Sequence, residues 1–233
     1  MAVSGTSTFD LDIPDIVEEA SQRAGIRLSN GYEMRSARRS INLLMTDWAN
    51  RGINMWTVEE QSLDLINGQA SYTVDSDIID LIEHVIRLPN TTGFAPNQTD
   101  YQITRTSVST YAGRTNKLIR GRPTEIYIDR QRTAPVLTLW PVPDTTGYDL
   151  IFWVLRRIND VGSYANTMDV PFRFLEPLVA GLAFHIAQKN PETVPIDRTT
   201  MLENRYEQAF TRAAHEDREK ADLRLVPRKG YAR

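Results

Sequence analysis

The hydrophobic period of this chain switches twice, from helical to two-residue and back, and that constrains its fold more than any other feature. Helices and strands bury different subsets of positions, so a stretch of period two set between stretches of period near 3.6 separates two kinds of layer. The pattern predicts an α+β protein: a discontinuous α-helical bundle domain, an inserted β-rich lobe and an extended C-terminal tail. The expected segments are 1–58 and 165–222 for the helical domain, 59–164 for the lobe and 223–233 for the tail. A length of 233 residues, 41% hydrophobic and 24% charged, suits a chain that buries a core.

The first helix is read from Ile13, Ile16, Val17, Ala20 and Ala24, with Asp12 as N-cap and Gly25 as stop. A second helix should follow Ser29 or Asn30, bury Met34, Ala37, Ile41, Leu44 and Trp48, and end at Gly52. Its other faces carry Arg35, Arg38 and Arg39, a basic cluster that could meet phosphate, an acidic neighbour or only water, with water the default. After Asp169 and Pro171 comes the expected core helix, apolar at Phe174, Leu175, Leu178, Val179, Leu182, Ala183 and Ile186. Pro177 and Gly181 within it predict a kink or a later start. A last helix is expected over 196–222, with Leu202, Tyr206, Ala209, Phe210 and Ala213 inward.

Between these helices, Leu63 and Leu65 alternate into Asn67-Gly68, and Ala70, Tyr72 and Val74 alternate beyond it, the signature of a type I′ hairpin. Further strands are expected at 84–88, 101–104, 124–129, 135–140 and 148–156, with a short helix near 107–111. Asp75, Asp77 and Asp80 lack the glycine and glutamate of a calcium loop and read as a turn plus a helix cap. Arg120-Gly121-Arg122-Pro123 reads as a turn entering a strand rather than a minor-groove hook.

Composition narrows the chemistry. With no cysteine, disulfides and Cys-type zinc sites are excluded. His84, His185 and His215 form no ligand spacing, so no metal or cofactor is expected, and His185 reads as a core residue. No phosphate-cradling glycine loop or nucleophile elbow occurs. The neighbouring Glu59 and Glu60 leave glycosidase-like chemistry open, because carboxylate separation is set by the fold. There is no signal peptide pattern and no run of 18 apolar residues, so folding in the cytoplasm without membrane insertion is expected. The net charge of −3 hides opposite ends: Asp10, Asp12, Asp15, Glu18 and Glu19 near the start face Arg224, Arg228, Lys229 and Arg233 near the finish.

Several runs point further: RSARRSINLLMTDWANRG at 35–52, GRPT at 121–124, LTLWPVPD at 137–144 and PFRFLEPLVAGL at 171–182. Together, across roughly residues 10–225, the chain resembles the head-to-tail adaptor (connector) proteins of short-tailed bacteriophages, the group of tail tubular protein A and the packaged-DNA stabilisation proteins. The resemblance implies a non-enzymatic structural protein of the virion, at the head-tail junction. It would form a homo-oligomeric ring, expected to be twelve-fold, that binds the portal protein above and a nozzle protein like tail tubular protein B below. Double-stranded DNA would pass through its channel, and tail fibres are a further expected partner. A DNA-binding virion protein without a ring, using Arg35, Arg38, Arg39 and the 114–122 loop, is the alternative, followed by a cell-wall hydrolase.

Within that frame the tail is expected to bind the portal or a neighbouring subunit through Leu223, Arg224, Leu225, Val226, Pro227, Arg228, Lys229, Tyr231 and Arg233. Ordering eleven residues costs on the order of 10 to 20 kcal/mol. Four exposed ion pairs return at most about 1 kcal/mol each. Leu223, Leu225, Val226 and Tyr231 must therefore bury apolar surface, while the bases set register and encounter rate.

Overall fold

A computed structural model describes residues 9–28, 30–52, 55–88, 98–161 and 168–217. The chain divides into two compact units, Met1–Asp47 with Val161–Arg233, and Trp48–Asp160.

In the first unit, α1 (Ile13–Ala24) buries Ile13, Ile16, Val17, Ala20 and Ala24, the stripe its spacing predicts. Its C-cap Gly25 has φ 77°, a left-handed backbone that favours glycine, whereas the Arg198 guanidinium 2.9 Å from an added Cβ is the end of a flexible side chain that can shift. Helix α2 (Gly31–Asn50) is capped by Asn30, whose Oδ1 accepts from the Tyr32 and Glu33 amides at 3.0 and 2.9 Å. Glu33 Oε2 accepts from the Asn30 amide in return, at 3.2 Å, a reciprocal capping box.

The middle of the chain forms the second unit. Its elements are a 3₁₀ turn (Met55–Thr57), β1 (Val58–Asp64), β2 (Ser71–Thr73), β3 (Ile78–Leu88), β4 (Thr99–Gln102), β5 (Thr104–Thr106), α3 (Val108–Ala112), β6 (Glu125–Asp129), β7 (Val136–Trp140) and β8 (Asp149–Arg156). Two four-stranded sheets result, one in the order β1-β8-β3-β4 and the other β2-β7-β6-β5, with β5 and β6 the parallel pair. Leu65, Tyr72, Leu81, Ile86, Ile126, Leu137, Leu139, Leu150, Phe152 and Val154 from both sheets form its core.

The expected hairpin does not form. β1 pairs with β8, and β2 pairs with β7 in the other sheet, so Asn67-Gly68 passes the chain between sheets. The polar groups a hairpin ladder would satisfy are met elsewhere: the Gly68 amide donates to Pro143 O at 2.9 Å, and the Leu65 amide to Tyr148 O at 2.8 Å. Tyr72 OH accepts from the Ile66 amide at 2.9 Å and lies 3.1 Å from Gln69 O, to which it donates. Tyr72→Phe is expected to destabilise this unit by about 1 kcal/mol, read as a lower denaturant midpoint. An unchanged midpoint would show that water replaces the phenol.

Asp75, Asp77 and Asp80 cap no helix. They precede and enter β3, whose register shifts between Ile78 and Asp80 and between Leu81 and Glu83. These irregularities space its buried residues at 78, 81, 84 and 86, which imitates a helix at its start. Asp80 instead binds Arg105 at 2.8 Å and Arg130 at 3.2 Å. The strand expected at 101–104 is two short strands in different sheets, with Ile103 buried at the switch. The short helix expected near 107–111 is α3, with Ser107 Oγ accepting from the Thr110 amide.

The chain returns to the first unit through a 3₁₀ turn (Phe172–Phe174), α4 (Leu175–Lys189) and α5 (Ile196–Glu216). Helix α4 takes the later start, which places Pro177 in the first turn, where its missing N–H costs nothing. It is buried nearly all round, against α1 and α5. Helix α5 ends at Glu216 and not near 222, because Asp217 leaves helical geometry at ψ 43°; residues 218–222 lie outside the described residues.

Candidate assembly surfaces

Of the sequence-predicted site residues, the tail residues from Leu223 to Arg233 lie outside the described residues. Arg35 and Arg39 are exposed on α2, and Arg38 is half-buried and engaged. One turn around the helix, Ser36 and Ser40 receive Lys189 from α4, whose Nζ donates to Ser36 O at 3.1 Å, Ser36 Oγ at 3.0 Å and Ser40 Oγ. Burial, and secondarily Arg39, pushes the Lys189 ammonium below its usual range. Lys189 therefore ties α4 to α2, leaving Arg35 and Arg39 as the cations this face presents to solvent.

The 114–122 loop is pinned by its own bases. Arg114 stacks 4.3 Å from the Trp140 ring and pairs with Glu125, and Arg122 lies 4.1 Å from the Tyr101 ring. Tyr111 and Tyr127 stack at 5.4 Å, with Lys117 Nζ 5.7 Å from the Tyr111 ring. These arginines are committed to aromatic and carboxylate partners inside the unit. Beside them Leu118 is 81% exposed.

The sequence reading missed a groove of about 570 Å³ between α1 and the start of α4. Phe9, 72% exposed, and Phe172, 79% exposed, give it apolar walls, and Asp15, Glu18, Glu19 and Glu176 give it negative charge. Its one base, Arg23, is already held: Nη1 and Nη2 donate to both Glu176 oxygens at 2.7 and 2.9 Å, and Nε donates to Glu19 at 2.8 Å. The Arg23 hydrogen bond holds the Glu176 carboxyl below its usual range, against the opposing effect of burial. The acidic run at 10–19 was legible; that Phe172, more than 150 residues away, would close the groove was not.

The neighbouring carboxylates of β1 do not converge. Glu59 and Glu60 are successive residues of β1, so their side chains leave opposite sheet faces, and Glu59 accepts from Arg156 Nε at 2.5 Å. Among the described residues no group of three or more His, Cys, Asp or Glu is placed to hold a metal ion. Likewise, among them no helix is long and apolar enough to cross a membrane.

His185, expected in the core, is half-buried on α4, and His84 on β3 is the buried histidine at 6% exposed. Burial lowers the His84 pKa, with Glu83 opposing and Arg105 assisting. A histidine whose folded pKa lies below the unfolded 6.5 contributes stability that is complete above that value and is lost as pH falls through the folded one. The wild-type denaturant midpoint should therefore drop between pH 7.5 and 5.5 by more than that of His84→Leu. Equal drops would remove His84 from the acid response.

A family model described as SU10 adaptor protein matches residues 9–228, which takes in the helices, both sheets and part of the basic tail. No curated protein matches the chain.

Proposed function

Because this chain belongs to the SU10 adaptor protein family, which makes it a bacteriophage adaptor that associates with other head and tail components in the virion, we propose that it is one subunit of a ring at the head-tail junction. The ring, expected to be twelve-fold, sits beneath the portal protein, joins it to the tail nozzle and encloses part of the channel for double-stranded DNA. The match over nearly the whole chain carries this reading, since it spans both structural units. Supporting it, the described residues include an acidic groove with exposed phenylalanines and an exposed basic helix face, both suited to docking a partner. No catalytic role is assigned to it. A net-negative chain also suits a conduit, because a strongly basic lumen would bind phosphates and retard the DNA.

The tail from Leu223 is proposed as the arm that engages the portal or an adjacent subunit. Tail fibres are a further proposed partner. Ring formation is tested by native mass measurement of the chain with its portal. A multi-copy complex of uniform subunit number is expected, and a mixture containing only free chain would overturn the ring.

Exposure of Arg35 and Arg39 favours a second reading, direct binding of duplex DNA by this helix face. On that reading the isolated chain binds duplex DNA with a steep salt dependence, and Arg35→Glu with Arg39→Glu removes it. Salt-insensitive or absent binding would dismiss it.

A further inference from the structure

We propose that the groove between α1 and α4 is the parking site of the chain's own basic C-terminal segment, Leu223–Lys229, before assembly, so that the arm is released only when a partner takes it. This rests on the adaptor reading for the arm's destination, but the parked state is a property of the free chain.

Four observations converge on that occupant. The groove walls include two exposed phenylalanines, Phe9 and Phe172, and its charge is net acidic: Asp15 and Glu18 stand beside Glu19 and Glu176, which Arg23 already holds, with Arg205 3.9 Å from Glu176. The segment matches both properties: Leu223, Leu225 and Val226 are apolar, and Arg224, Arg228 and Lys229 are basic with no acid between them. The alternative filler from the same chain, residues 1–8 (MAVSGTST), has no basic side chain and little apolar surface.

The tether is also favourable. The end of α5 is held to the turn that carries Phe172, because Arg173, the next residue, donates to Glu216 O at 3.3 Å and lies 3.6 Å from Asp217; Arg173 and Glu216 themselves line a separate hollow between α4 and α5. From Asp217 to Leu223 is six residues, a reach of about 20 Å. A short connection of this kind gives an effective concentration in the millimolar range, which a second molecule in dilute solution does not match. Finally, the Asp217 side chain is only 2% exposed, yet its Oδ2 has no hydrogen-bond partner among the described residues. This oxygen lies outside the groove lining and offers a cation of the departing segment a partner on its way to the groove.

The absence of cysteine makes the test clean. Gln22, exposed on the groove rim, and Val226 are changed to cysteine together in the full chain, and the dilute free protein is oxidised. The expected product is a monomer with an intrachain disulfide, found by mapping one cross-linked peptide pair. Its yield should fall several-fold in 1 M salt, where the Debye length is about 3 Å. Asp15→Lys with Glu18→Lys should lower it about tenfold, and Arg228→Glu with Lys229→Glu added to that variant should restore it. Two results overturn the proposal: disulfides exclusively between chains, which would make a neighbour's segment the occupant, or no disulfide while each single-cysteine chain still reacts with a thiol reagent. If the oxidised variant forms the intrachain bond and the same variant, kept reduced so that its arm is free, never joins a portal, the parking site stands and the ring is removed.

Discussion

Replacing Gly181 by valine is expected to cost the helical unit about 3 kcal/mol, read as a large fall in the denaturant midpoint of the helical signal. Gly181 lies within α4, where a Cβ would fall 2.8 Å from Leu44 Cδ2 and 2.9 Å from Tyr206 Cε2. Leu44 on α2 and Tyr206 on α5 are both buried, so neither can swing into solvent to make room. Against this stands the gain of about 1 kcal/mol when glycine leaves a helix interior. Alanine already places this Cβ against Leu44 and Tyr206, which offsets its helix-propensity gain, but it should be milder than valine, which adds two further methyl groups where three helices meet. Leu44→Ala alone should cost about 2 to 5 kcal/mol, but combined with Gly181→Val it should cost less than the sum, because the cavity accepts the new methyls. A fully stable Gly181→Val protein would refute the close approach.

Removing residues 223–233 is expected to leave a folded chain that fails to join the head. The buried residues that build the cores of both units lie between Ile13 and Ala213, so the truncated chain should keep a cooperative thermal transition, lowered only by what a parked tail contributes, while portal association is lost. Replacing Arg228 and Lys229 alone should act more weakly and chiefly through the association rate at low salt, since long-range steering is screened at high salt. Truncated chain that still builds stable particles retaining DNA would eliminate the arm. Truncated chain that no longer folds would instead make the segment part of the core.

Much of the secondary structure was legible because local rules decided it. The stripe and stop of α1, the Asn30 cap of α2, and β6, β7 and β8 follow from period, cap and turn residues acting within about ten residues of one another. The failures share one cause. Asn67-Gly68 specifies a tight turn but not which strand lies beyond it, and here the partners of β1 and β2 come from far along the chain. The start of β3 was misread because a strand with register shifts loses its two-residue period, and only pairing with β8 imposes the shifts.

For the site, sequence supplied the charges and tertiary structure supplied the shape. The acidity of 10–19, the basic acid-free tail and the arginines of α2 are fixed by composition, since charge survives any fold. The groove is not, because it needs Phe9 and Phe172 brought to one hollow and Arg23 withdrawn to Glu176 across 153 residues. The fate of the 114–122 arginines was equally hidden, for whether a guanidinium meets DNA or a ring such as Trp140 depends on a contact the chain makes only after folding. Sequence by itself determined which segments are charged and where most of the helices and strands run. The tertiary structure alone decided which strands pair, which bases are spent and where a hollow opens, because those depend on long-range packing that no local preference encodes.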